Sequence, residues 1–268
     1  HIQLQSPPVP PGAIPAVAVE GSTEAWPGSE SSPLLPPFDV FNKQTAYIEI
    51  FNRGTDPFGY TAVADNQWIM LSSSHGTVTD VQRLNVSIDW PALPVVTHKG
   101  SISVNAEGNV IIIGVTAFKP AAPDPATLNG FVEAGGYVSM EAASYTGKVE
   151  SGDRHWEWIE DYGRTKSGMR AASVTDAPPA IPGKDSPQLE YRIWFFSTGE
   201  FETVLHMAPS LNFLPDRDFK IGLSVDEGAA ELLTVVPAAF NAENGNREWE
   251  ETVRNSTRYV KGKITVTA

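Results

Sequence analysis

The stretch Gly100–Phe118, GSISVNAEGNVIIIGVTAF, narrows the possible folds most. Each half alternates apolar and polar residues, and the halves meet at Glu107-Gly108-Asn109. Such alternation sends successive side chains to opposite faces of a strand, and a short Gly-containing join closes a hairpin. The same period recurs upstream. TAYIEIFNRG sets Tyr47, Glu49 and Phe51 on one face, with Ile48 and Ile50 on the other. RLNVSIDW sets Leu84, Val86 and Ile88 inward, with Asn85 and Ser87 outward. PFGYTAVADNQWIML reads as a hairpin turning at Asp65-Asn66. Helical spacing occurs over about Asn246 to Arg258, where Trp249, Val253 and Ser256 follow it and acidic residues come early. Many short alternating runs and one helix predict an all-β chain.

Its 268 residues suffice for two antiparallel β-sandwiches in tandem. Residues 1–37, rich in Pro, Gly and Ser, read as an extended arm. Residues 38–120 form the first expected sandwich, 121–130 a Pro-rich linker, and 131–268 the second sandwich. Strands are predicted there in GYVSMEAASYT, HWEWIE, QLEYRIWFF, FETVLHMA and FKIGLSVD.

Composition excludes several functions. The chain carries 32 acidic and 19 basic residues, a net charge of −13. That balance argues against nucleic acid and anionic membranes, which need clustered Lys and Arg. No apolar run approaches the roughly 20 residues needed to span a bilayer. With no cysteine, disulfides, thiolate catalysis and cysteine zinc sites are absent. Two N-x-S/T triplets, at Asn85 and Asn255, become glycan acceptors in a secreted eukaryotic protein.

The candidate chemistry centres on GDRHWEWIEDYGRTKSGM, Gly152–Met169. Trp156 and Trp158 project to the same side of a strand, where they either stack on a sugar or fill a core. Tyr162 offers a further ring beside them. Arg164 either meets a uronic acid carboxylate with its planar fork or pairs with Asp161 or Glu160. A strand over GYVSMEAASYT places Glu141 beside Tyr137 and Tyr145, as a calcium ligand, a sugar-hydroxyl acceptor or a solvated carboxylate. Glycoside hydrolysis needs two converging carboxylates, and no spacing here shows convergence. A free N-terminal His1 could chelate copper with His75, His98, His155 or His206, which adds a copper monooxygenase to the alternatives.

The segments EYRIWFFSTGEFETVLHMAPSLNF and FKIGLSVDE resemble the C-terminal region of glycoside hydrolase family 115, the xylan α-1,2-glucuronidases. Pro209-Ser210-Leu211-Asn212-Phe213 is the most specific piece, and VSMEAASYT and GRTKSGM match in order and spacing. VAVEGS, YIEIFNRG and VSIDW are similar to the preceding domain. The resemblance implies an immunoglobulin-like sandwich followed by a jelly roll like a carbohydrate-binding module. It implies a secreted, extracellular accessory part, with glucuronoxylan or a related plant polysaccharide as partner. The catalytic barrel lies upstream in the family, so no residue of this chain is expected to be catalytic. A homodimer is a further implied partner, and a free-standing sugar-binding protein is the alternative. The family strand carries Glu-Ala-Glu where this chain has Glu141-Ala142-Ala143, which weakens calcium as a cofactor. The family also continues past KGKITVTA, so the expectation is an incomplete second sandwich in one piece of a nicked or split enzyme.

Overall fold

A computed structural model of the chain describes residues 8–163, 165–173, 178–212 and 216–267. The protein is all-β apart from one α-helix and a short 3-10 turn. It divides into two compact units, His1–Thr127 and Leu128–Ala268.

The first unit is a two-sheet sandwich. Its strands are β1 (Pro15–Val19), β2 (Phe38–Asp39), β3 (Ala46–Asn52), β4 (Phe58–Ala64), β5 (Ile69–Leu71), β6 (His75–Val78), β7 (Val81–Ile88), β8 (Val96–Ala106) and β9 (Asn109–Lys119). One sheet runs β1-β3-β7-β5 and the other β2-β9-β8-β4-β6. Inward residues of both sheets join one cluster, with Phe38, Ile48, Ile50, Leu84, Ile102 and Ile113 fully buried. Each such side chain contributes about 1.5–3 kcal/mol through burial. The β8–β9 hairpin turns at Glu107 and Gly108, both with positive φ, as a tight two-residue hairpin loop requires.

Two expectations need correction in this unit. The N-terminal arm is not wholly separate from the sandwich, because Pro15–Val19 pairs with β3 and buries Ala16, Val17 and Val19. Its proline occupies the first strand position, where a missing N–H is tolerated. The segment around Asp65-Asn66 is not a hairpin, because β4 and β5 belong to different sheets. Asp65 accepts from the Ser101 amide at 2.8 Å and the Ser101 hydroxyl at 3.0 Å, tying the end of β4 to β8. The chain then crosses between the sheets and buries Trp68.

The second unit is built from two-stranded ribbons. β10 (Phe131–Val132) runs parallel to β15 (Ile193–Trp194). β11 (Gly147–Val149) pairs with β14 (Gln188–Glu190), and β12 (His155–Glu160) with β13 (Ser167–Ala172). β16 (Gly199–Met207) pairs with β19 (Arg258–Val266), and β17 (Phe219–Leu223) with β18 (Glu231–Val236). The last two ribbons share a small core of Leu233, Val235, Val236 and Val260, flanked by Leu205, Met207, Phe219 and Ile221. Gly262 admits this packing, since a Cβ there would lie 2.7 Å from Leu233 Cδ1.

Helix α1 (Arg247–Arg254) is capped by Asn246, whose side chain accepts from the Trp249 amide. It stops before the expected Arg258 because Ser256 takes a positive φ. Arg258 is instead buried at the head of β19, where it donates to Glu248 and lies 4.6 Å over the Phe240 ring.

Candidate functional site

The β12–β13 hairpin organises most of the residues singled out in the sequence. Its register sets Trp156 opposite Ala171, Glu157 opposite Arg170, Trp158 opposite Met169 and Ile159 opposite Gly168. Strand alternation then gives the hairpin two distinct faces. Trp156, Trp158 and Met169 share one face. His155, Glu157, Ile159, Gly168 and Arg170 share the other.

Trp158 is 59% exposed. Trp156 is half-buried, and its Nε1 has no partner among the described residues. Tyr162, 45% exposed, lies beyond the end of β12. Its ring folds over Gly168, where a Cβ would stand 2.8 Å from Tyr162 Cδ1. Gly168 faces away from Trp158, so Tyr162 and Trp158 occupy opposite faces and cannot form one platform. Arg164 lies outside the described residues.

Glu141 arrives at the same hairpin turn from a different local structure than expected. No strand runs through GYVSMEAASYT. Gly135 and Gly136 turn with positive φ, and Glu141 precedes a 3-10 turn over Ala142–Ser144. The small side chains of Ala142, Ala143 and Ser144 permit that tight winding. Glu141 Oε2 accepts from Thr165 Oγ1 at 2.8 Å, which joins a carboxylate and a hydroxyl at the hairpin turn. Among the described residues, no group of three His, Asp or Glu side chains is arranged to hold a metal ion. With Ala143 in place of a second carboxylate, the residues around Glu141 do not fit calcium.

A charged trio lies farther along the Tyr162 face. Glu157 Oε1 pairs with His155 Nε2 at 3.2 Å, while Arg170 donates to Glu157 Oε2 through Nε at 3.1 Å and also through Nη2. The Asp153 carbonyl on Nδ1, with Glu157 on Nε2, holds the His155 imidazole above its ordinary pKa. Arg170 and then His155 hold the Glu157 carboxyl below the usual carboxylate range. The sequence reading missed Arg170. Counting three pairs outward from Glu160 opposite Ser167 sets it opposite Glu157.

Two polar groups, one buried and one half-buried, support this unit. Glu133 accepts from the Phe196 and Ser197 amides, each at 2.8 Å, and from Ser197 Oγ at 2.6 Å. Burial pushes its carboxyl up, but those three donors outweigh burial and hold it below the usual range. Tyr191 Oη donates to the Ala142 carbonyl at 2.7 Å, which anchors the turn beside Glu141. Burial, with Tyr145 nearby, pushes Tyr191 up to about 12.

The other sequence candidates lie elsewhere. Asn85 is exposed on β7, and Asn255 is the exposed C-cap of α1. His1 lies outside the described residues. The remaining histidines sit on separate strands with their own neighbours: His75 beside Ser74, His98 beside Trp68, His155 on Glu157 and His206 edge-on to Tyr259.

Comparison with curated proteins returns no match. Among solved structures, the chain is similar to a Bacteroides ovatus GH5 xyloglucanase in complex with a XXXG heptasaccharide. That match has 19% identity and a TM-score of 0.28, and covers 40% of this chain but only 20% of that one. It is also similar to a PapD-like domain of human CEP192, at 9% identity and TM-score 0.27, covering 46% of this chain and 95% of that one. The periplasmic chaperone SfaE matches at 9% identity and TM-score 0.30, covering 66% and 86%. Likenesses this weak establish neither fold nor function. The family comparison is decisive, because the model of the glycosyl hydrolase family 115 C-terminal domain matches residues 130–268. That span is the second unit and more than half of the chain, and the chain belongs to glycosyl hydrolase family 115 through this C-terminal domain.

Proposed function

We propose that this chain is a secreted, non-catalytic accessory part of a xylan α-1,2-glucuronidase, whose second unit positions glucuronoxylan for a catalytic barrel. Membership in family 115 supports the enzyme context. The observation that carries the positioning role is the bond between Glu141 and Thr165 at the hairpin turn, with the half-exposed Tyr162 ring over Gly168 on the same hairpin. A carboxylate and a hydroxyl can bond sugar hydroxyls, while the ring packs on the apolar C–H face of a pyranose. Trp158, on the opposite hairpin face, is left for contact with another domain or a second copy of the chain. In a secreted eukaryotic protein, exposed Asn85 and Asn255 would carry glycans, and enzymatic deglycosylation would lower the apparent mass.

Affinity electrophoresis in gels containing glucuronoxylan tests the reading. Retarded migration that Tyr162→Ala abolishes is the expected result. Unretarded migration of the intact chain would leave only a scaffolding role.

A further inference from the structure

Arg258 is the one buried cation among the described residues. Its side chain is 5% exposed, yet its carboxylate partner, Glu248, stands 58% exposed on α1. Arg258 Nη1 donates to Glu248, while Nε and Nη2 are buried with no acceptor among the described residues. Buried donors left unpaired are costly, so a fold that keeps two of them on one cation calls for an explanation. The helix above this cation is weakly held. Its eight residues fall short of the roughly 12–15 at which helices begin to stand alone in water. Thr252 is its one buried residue, and no strand runs closely alongside it among the described residues. Gly245 and Ser256, both with positive φ, bound it, so neither flanking segment continues the helix. Its hold on the unit runs through a ring of side chains. Glu248 meets Arg258, Arg258 lies over Phe240, and Phe240 meets Trp249 edge-on at 6.2 Å.

We propose that α1 is a strap latched over Arg258, and that it opens as a unit while the β16–β19 and β17–β18 ribbons stay folded. Opening uncovers the Arg258 guanidinium and the Phe240 ring. Closed, the strap leaves two guanidinium donors unmet. Open, it returns them to water, and the penalty recovered offsets much of what is lost at Glu248 and at the Trp249–Phe240 contact. Arg258 therefore both latches the strap and keeps it easy to release. Segments with few buried apolar residues are the ones that open below the cost of global unfolding, and α1 has that character.

Hydrogen exchange of the full chain tests this, read at the amides of residues 251–255 and at those of β19. In the native chain the α1 amides should exchange well ahead of the β19 amides. Glu248→Gln removes the charge that holds the latch, so it should speed α1 exchange about tenfold and leave β19 unchanged. Arg258→Met fills similar space without donors, and exposed Glu248 loses its partner without being stranded in the interior. It should slow α1 exchange about tenfold. Exchange of α1 only together with β19 would overturn the strap. So would an Arg258→Met variant that speeds α1 exchange as Glu248→Gln does, because Arg258 would then be an ordinary stabilising partner. An Arg258→Met variant that unfolds the second unit would overturn it too, by making the guanidinium a requirement of the fold.

Discussion

The two units solve the problem of folding without disulfides in different ways. Among the described residues, the first gathers twenty-six buried apolar side chains into one cluster, whereas the second gathers four. The first has sheets of four and five strands, and the second has only two-stranded ribbons. Isolated ribbons are marginal in water, so the second unit relies more on hydrogen-bonded polar groups such as buried Glu133 and half-buried Tyr191.

Core truncation should give the largest contrast. Ile48→Ala in the first unit should cost about 2–5 kcal/mol, while Leu233→Ala in the second should cost about 2, because a thin core can relax around it. Hydrogen exchange read separately for each unit checks this. Equal losses would break the comparison.

Glu133→Gln comes next, at about 1–3 kcal/mol, because it weakens acceptance from three donors in a buried site. The folded pKa of Glu133 is depressed, so its contribution is complete above the unfolded value of about 4.5 and is lost as pH falls through the folded value. Native and variant stabilities should therefore converge in acid. A constant difference down to low pH would remove the carboxylate from this role.

Tyr191→Phe should cost about 0.5–1.5 kcal/mol by removing the hydrogen bond to Ala142. The folded pKa is raised here, so the native advantage is full below about 10 and disappears as pH rises through about 12. Denaturant unfolding in alkali compares the two proteins.

How much of this was readable in the sequence followed the same division. Where one face of a strand meets a large core, alternation is strict: Leu84, Val86 and Ile88, expected inward, are buried, and so are Ile48 and Ile50, which the alternation set on one face. In the second unit the family resemblance was correct, and HWEWIE is strand β12 to the residue. Local conformation failed where turn chemistry overrode pattern. Gly135-Gly136 and the Ala142–Ser144 turn replaced the strand expected around Glu141. Trp158 and Tyr162 looked like one aromatic group, but hairpin pairing separates them onto two faces. The guanidinium that pairs across the hairpin is Arg170.

Smaller effects sharpen the picture of the hairpin. Trp158→Ala should change stability by no more than about 0.5 kcal/mol, because the ring is exposed. A large loss would return Trp158 to the core. The His155 imidazole should titrate above about 6.5 by proton NMR, and Glu157→Gln should lower its midpoint. An unmoved midpoint would mean that Glu157 and His155 are not paired in solution.

The central claim is that the second unit carries the saccharide contact while the first serves as scaffold. Amide chemical-shift mapping of the full chain against a glucuronic-acid-substituted xylo-oligosaccharide tests it most directly. The expected shifts cluster at Glu141, Tyr162, Thr165 and Gly168. Shifts confined to the first unit, or none at saturating ligand, would contradict the claim.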